Sequence, residues 1–231
     1  MQAVSDHAVI ILHGIGTPQR YLEPGEEVFW LSRDRFCQVL DRIAAMGQDA
    51  PQITFDDGNA SDIDIALPEL TRRGLKATFF LLTGRLGQPG SLTEGDVKTL
   101  AEAGHHIGLH GADHVDWRQL NAAVYHREFI AARDKLSALA GYRVVHAGAP
   151  FGLYDRQTLQ NLRQLGFATL YTSDRGLAGA EGFIRPRNCL EGGMDDASLE
   201  DALRGRVRGL RLARRVFGIA RRRLLPIRVR L

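Results

Sequence analysis

Two adjacent carboxylates, Asp56 and Asp57, close the apolar run Ile53-Thr-Phe-Asp-Asp-Gly58, and a His-x-x-x-His pair, His110 and His114, follows downstream. Like charges side by side at the end of an apolar segment are costly, because each raises the other's pKa. A cation next to them relieves that cost, and so does the use of one carboxylate as a base. One Asp with two His makes a set of hard-to-borderline donors that suits a catalytic Zn²⁺, or a related divalent ion, with an open position. Each half is weak alone. Asp-Asp-Gly is a common turn, and a lone His-x-x-x-His is often two surface histidines. Their joint occurrence, each at the end of an apolar strand pattern, carries the reading.

The elements that must position these residues alternate along the chain. Val9–Leu12, Gln52–Phe55, Ala77–Leu82, His106–Leu109, Arg143–His146, Ala168–Tyr171 and Phe183–Arg185 read as strands. Arg33–Met46, Asp62–Arg73, Thr93–Ala103, Leu120–Leu139 and Tyr154–Leu165 read as helices, three of them closed by Gly74, Gly104 and Gly166. Repeated strand-then-helix units imply a parallel sheet covered by helices. A single-domain (β/α) barrel of seven strands is the expected closed form, with an open doubly wound sheet as the alternative. Asp56-Asp57, His110 with His114, and Pro150-Phe151-Gly152 all fall just after strand ends, which in a barrel puts them on one rim, where active sites gather. No Gly-x-Gly-x-x-Gly opens a helix, so a dinucleotide site is not expected.

At this point the chain resembles the polysaccharide deacetylases, the NodB-homology domain of carbohydrate esterase family 4. Thr54-Phe-Asp-Asp-Gly58 looks like the first family motif and His110-Gly-Ala-Asp-His114 like the second. The likeness runs through Leu67–Phe80, Ala149-Pro-Phe-Gly152 and Leu170–Gly176, over residues 9–190 in all. The resemblance implies a deformed (β/α) barrel and metal-dependent deacetylation of N-acetylated sugars. Carried over residue by residue, Asp57, His110 and His114 bind the metal, with Zn expected and Co, Ni or Mn as alternatives. Asp56 is the general base toward metal-bound water, and Pro150, Phe151 and Gly152 line the substrate site. Two departures stand out. Gly148 occupies the place where the family usually carries an Arg that orients the base, and no His follows His146, although the family commonly offers a late His as general acid. His13, at the end of the first strand, is the candidate for that acid, against a plain structural role. His146 is a weaker one. Asp174 falls near a fourth-motif Asp but also fits a turn.

Residues 204–231 hold eleven of the 30 basic residues and no acid, which leaves 19 basic against 27 acidic groups in residues 1–203. A split at residue 203 therefore separates an acidic barrel from an Arg-rich tail. Leu210, Phe217 and their apolar neighbours among the arginines suggest a basic amphipathic helix, ended by Pro226, that would meet an anionic membrane surface, with a solvated or disordered tail as the alternative. Specific nucleic-acid binding is not expected, because no recognition motif or stacking platform accompanies the charge. The N-terminal residues have no basic region followed by a long apolar stretch, no segment approaches the roughly 18 apolar residues of a membrane span, and Cys37 and Cys189 lack CxxC spacing. These features lead to an expected cytoplasmic location, peripheral at the inner membrane face. The functional expectation is a carbohydrate deacetylase in cell-surface polysaccharide metabolism. The alternatives are a non-catalytic relative that binds sugar or a partner enzyme, and a metal-dependent hydrolase of another amide.

Overall fold

The computed structural model describes residues 6–207; the Arg-rich segment from 208 onward, with the expected tail helix, lies outside the described residues. Six parallel strands follow in chain order: β1 (His7–Leu12), β2 (Gln52–Asp57), β3 (Ala77–Leu81), β4 (His106–Leu109), β5 (His146–Gly148) and β6 (Thr169–Thr172). The ring is then closed by one short segment. Its first half, β8 (Ile184–Pro186), pairs with β6, and its second half, β9 (Asn188–Cys189), pairs with β1. Only Arg187 separates the two halves. Counting that segment once gives the seven parallel staves expected; an additional two-residue strand, β7 (Leu177–Ala178), runs antiparallel on the start of β1. The barrel prevails over the open sheet.

Period-two alternation sorts the strand residues. Ile53, Phe55, Phe79, Leu81, Ile107, Leu109, Ala147 and Leu170 join the outer apolar layer, packed with Phe36, Leu40, Leu70, Leu100 and Leu136 of the surrounding helices. The helices are α1 (Arg33–Ala45), α2 (Leu67–Arg72), α3 (Glu94–Glu102), α4 (Ala122–Tyr125), α5 (Ala132–Ala140), α6 (Arg156–Gln164) and α7 (Asp196–Leu203). The opposite set faces inward, where Val9, Phe80 and Tyr171 form a separate buried cluster. The expected helix over 120–139 is continuous from 122 to 140 but carries a π-helical segment, His126–Ala131, between α4 and α5.

One strand differs from expectation. The apolar Val144-Val145 pair points to a strand over 143–146, whereas β5 is His146–Gly148. Small residues suit that place because Phe80 fills the barrel beside them: a Cβ on Gly148 would lie 3.0 Å from Phe80 Cγ, and one on Gly108 2.4 Å from Phe80 Cδ1. No helix among the described residues is long and apolar enough to cross a membrane.

Candidate active site and metal centre

Alternation along β2 aims Thr54 and Asp56 inward, and regular extension would aim Asp57 the other way. Asp57, the last residue of β2, instead has φ 82°. That left-handed turn brings its Oδ1 to 3.6 Å from His110 Nε2 and 3.8 Å from His114 Nε2. Ligand atoms of these three residues all lie within 4.8 Å of one another. The Asp pair thus belongs to the strand itself, while His110 and His114 follow the end of β4 as expected. Among the described residues four non-glycines have positive φ, and three of them, Asp57, His114 and Phe151, are site residues. Strain of this kind persists where the surroundings over-determine it, characteristically at functional sites.

Each of the three has a partner that aims it. His110 Nδ1–H donates to the Gly148 carbonyl at 2.8 Å, which leaves Nε2 with its lone pair toward Asp57. His114 Nδ1–H donates to the Glu23 carboxylate at 3.1 Å, the carboxylate–histidine arrangement that orients metal-binding imidazoles. Asp57 Oδ2 faces Arg20 at 3.9 Å and Arg85 at 3.8 Å, while its buried Oδ1 has no hydrogen-bond partner. Burial pushes the His110 pKa down to about 4, so its imidazole is neutral and free to bind a metal at physiological pH. Burial opposes ionisation of Asp57, but the charges of His110, His13, His114 and Arg85 outweigh it and hold the carboxyl at about 2. Asp62, fully buried nearby, goes the other way. Burial and the Asp57 charge raise its pKa well above the usual carboxylate range.

Asp56 is held by a residue 131 positions away in the sequence. Arg187 Nη1 donates to Asp56 Oδ1 at 2.6 Å and Nη2 to Oδ2 at 2.7 Å. Burial opposes the Asp56 charge, and Arg187 is the largest influence that restores it, leaving the carboxyl below its ordinary range. Asp56 Oδ2 lies 3.9 Å from His110 Nε2, at the edge of the Asp57–His110–His114 triangle.

The loop that returns His114 to the site is folded around Glu128, a fully buried acid of the π-helical segment. Its carboxylate accepts the backbone N–H groups of Ala112 and Asp113 at 3.1 and 2.9 Å and the Trp117 indole N–H at 3.2 Å. Gly111, with φ 97°, is required there: a Cβ would stand 2.1 Å from Glu128 Oε2.

The remaining sequence candidates are placed as follows. Pro150–Gly152 forms a short 3-10 turn after β5; Pro150 and Gly152 are buried, whereas Phe151 is exposed with its ring 4.1 Å from His114. His13 is half-buried, stacked on Phe29 at 5.0 Å, with Nδ1 4.0 Å from Cys189 Sγ. It is close enough for its charge to lower the pKa of both Asp56 and Asp57. His146 begins β5, at the opposite rim, and bonds Thr169 Oγ1, which removes it as a catalytic candidate. Asp174 accepts the Tyr154 hydroxyl at 2.6 Å and the Thr172 hydroxyl at 3.0 Å, so it is a buried structural acceptor and not a loose turn residue.

Residues 45–170 match the sequence profile of the polysaccharide deacetylase family, and the chain belongs to that family. A peptidoglycan-N-acetylglucosamine deacetylase of Bacillus cereus is 34% identical over 120 residues, covering 51% of this chain and 39% of the relative. A chitin deacetylase of Pestalotiopsis sp is 30% identical over 115 residues, covering 50% of this chain and 38% of the relative. The chain thus spans less than half the length of the curated relatives it matches. The Streptococcus pyogenes deacetylase PplD, solved in complex with acetate, superposes with a TM-score of 0.74 at 21% identity, covering 87% of this chain and 99% of that one. A polysaccharide deacetylase from Bacillus cereus superposes at 0.76 with 17% identity, covering 87% and 69%. These superpositions establish the shared fold.

Proposed function

We propose that the chain is a metal-dependent hydrolase that removes the acetyl group from an N-acetylated sugar or saccharide. The observation that carries this reading is the convergence of Asp57 Oδ1, His110 Nε2 and His114 Nε2 with Asp56 at their edge. The donor set fits a divalent ion. Both imidazoles are aimed by hydrogen bonds through Nδ1, and a buried carboxylate oxygen is left without a partner. Zinc suits two nitrogens and one oxygen best, with Co, Ni or Mn as alternatives. Such an ion, when bound, lowers the pKa of water toward neutrality and polarises a carbonyl oxygen.

The chain's own residues supply the rest. Asp56 Oδ2 takes the proton of the attacking water, with Arg187 keeping the carboxylate ionised and in plane. His13, on the β1 side of the mouth, delivers a proton to the leaving amine. The exposed face of Phe151 packs against the sugar ring beside His114. The names of the relatives support an N-acetylated saccharide as the substrate class, and a role in cell-surface polysaccharide metabolism is proposed on the same ground.

The test is acetate release from N-acetylglucosamine oligomers, chitin fragments and peptidoglycan after loading with zinc or cobalt. Activity that depends on the ion and vanishes in Asp57→Ala is the expected result. A metal-loaded protein that releases no acetate from any of these substrates would overturn the reading, and metal binding without turnover would select the non-catalytic alternative.

A further inference from the structure

We infer that Arg187 is the positioning residue of the base, acting from the seam of the barrel in a role for which Gly148 has no side chain. This rests on the reading of Asp56 as base. Four observations support it. The guanidinium is fully buried and grips both Asp56 oxygens, which fixes the carboxylate's plane and not merely its charge. It is itself held on several sides: Nη1 also donates to Thr54 Oγ1 at 3.2 Å, Nε to the Thr172 carbonyl at 3.4 Å, and Cζ lies over the Phe80 ring, 5.0 Å from its centroid. Its backbone is fixed too, the N–H donating to the Thr172 carbonyl at 3.0 Å and the carbonyl accepting from Arg175 N–H at 3.0 Å.

The fourth observation explains why the cation comes from this segment. Position 148 is tight for a side chain, since a Cβ there would stand 3.0 Å from Phe80 Cγ and 3.3 Å from His110 Nδ1, and the Phe80 and His110 rings would have to give way. Gly108 on β4 makes way for the same ring. Phe80 therefore occupies the space over β4 and β5, and its face supports the guanidinium that arrives from between β8 and β9. The absence of a side chain at 148 and the presence of Arg187 are two parts of one arrangement.

The test compares wild type with Arg187→Met, Arg187→Lys and Arg187→Ala, all zinc-loaded. Positioning predicts that kcat for acetate release falls by at least about 100-fold, the scale of a general-base contribution, while KM and one-to-one zinc stoichiometry are kept. The Arg187→Lys variant recovers little of that rate, because one ammonium cannot reproduce the two-pronged grip. Added guanidinium ion, but not sodium chloride at the same ionic strength, raises the rate of Arg187→Ala. A folded Arg187→Met with wild-type kcat overturns the inference, and so does a variant whose rate loss merely follows lost zinc. Should Arg187→Ala fail to fold, the near-isosteric Met variant decides. A crystal structure of Arg187→Met in which the Asp56 carboxylate keeps its place overturns the inference whether or not wild type is active. Failure of wild type to release acetate is a separate outcome, which sinks the proposed function.

Discussion

Asp57 and Asp56 are neighbours in sequence with opposite surroundings, and that separates their roles. Asp57 faces two imidazole nitrogens through an oxygen without a hydrogen-bond partner, whereas both Asp56 oxygens are taken by a guanidinium. Asp57→Ala and His110→Ala should each abolish zinc retention along with activity. Asp56→Asn should keep zinc while losing acetate release, with equilibrium dialysis and a coupled acetate assay separating the two. Glu23→Ala should weaken zinc affinity by roughly 10–100-fold through a freed His114 ring, the usual effect of losing an orienting partner; calorimetric titration measures it, and an unchanged affinity would show that Glu23 does not orient His114. At this scale the candidate ligands Asp57, His110 and His114, and Asp56 beside them, were legible in the sequence, because they sit beside strand ends. Arg187 and Glu23 were not, lying 131 and 91 positions from the residues they hold. The one hint of Arg187 was a charge set among the strand-like residues Ile184-Arg-Pro-Arg-Asn-Cys-Leu190.

At the scale of elements, the loop from His110 to Trp117 has its form because a buried acid on the following helix gathers its N–H groups. Glu128→Ala would leave two backbone donors and an indole N–H unsatisfied, at a cost of about 3 kcal/mol. Urea denaturation should register that loss together with weaker zinc binding, since His114 rides on the loop. Gly111→Ala should act similarly through the clash with Glu128. The helical pattern over 120–139 was legible, but the π-helical segment that carries Glu128 leaves no mark in apolar periodicity. The strand at 146–148 was missed for a related reason. Ala147 and Gly148 have weak strand propensity, and they are chosen by the Phe80 ring beside them.

For the whole molecule, the segment that closes the barrel also carries a site residue, because Arg187 lies between the two short strands that join β6 to β1. The strand–helix alternation made the barrel readable, and the strand pattern at Phe183–Arg185 marked the first half of the closing segment; its second half, Asn188–Cys189, is too short to announce itself. Acid should loosen the fold as a unit. His105, buried where its Nδ1 accepts the Ala77 N–H, has its pKa lowered by burial to about 4. The unfolded chain binds that proton near 6.5, so the stability contributed by neutral His105 is complete above that pH and is lost as pH falls toward 4. The loss is at most about 3 kcal/mol. Thermal melts of His105→Gln should show a shallower decline over that window. The Arg-rich residues 208–231 call for a separate experiment: if they meet an anionic surface, the full chain should sediment with phosphatidylserine-containing vesicles and a chain ending at 207 should not, with acetate release equal in both.

The most direct measurement is a cobalt titration of the metal-free protein followed by its visible absorption spectrum. Saturation at one ion per chain, with the intense bands of a low-coordinate nitrogen–oxygen site that disappear in His110→Ala, is expected. A wild-type protein that takes up no ion, or a His110→Ala variant that titrates identically, would contradict a metal centre built from Asp57, His110 and His114.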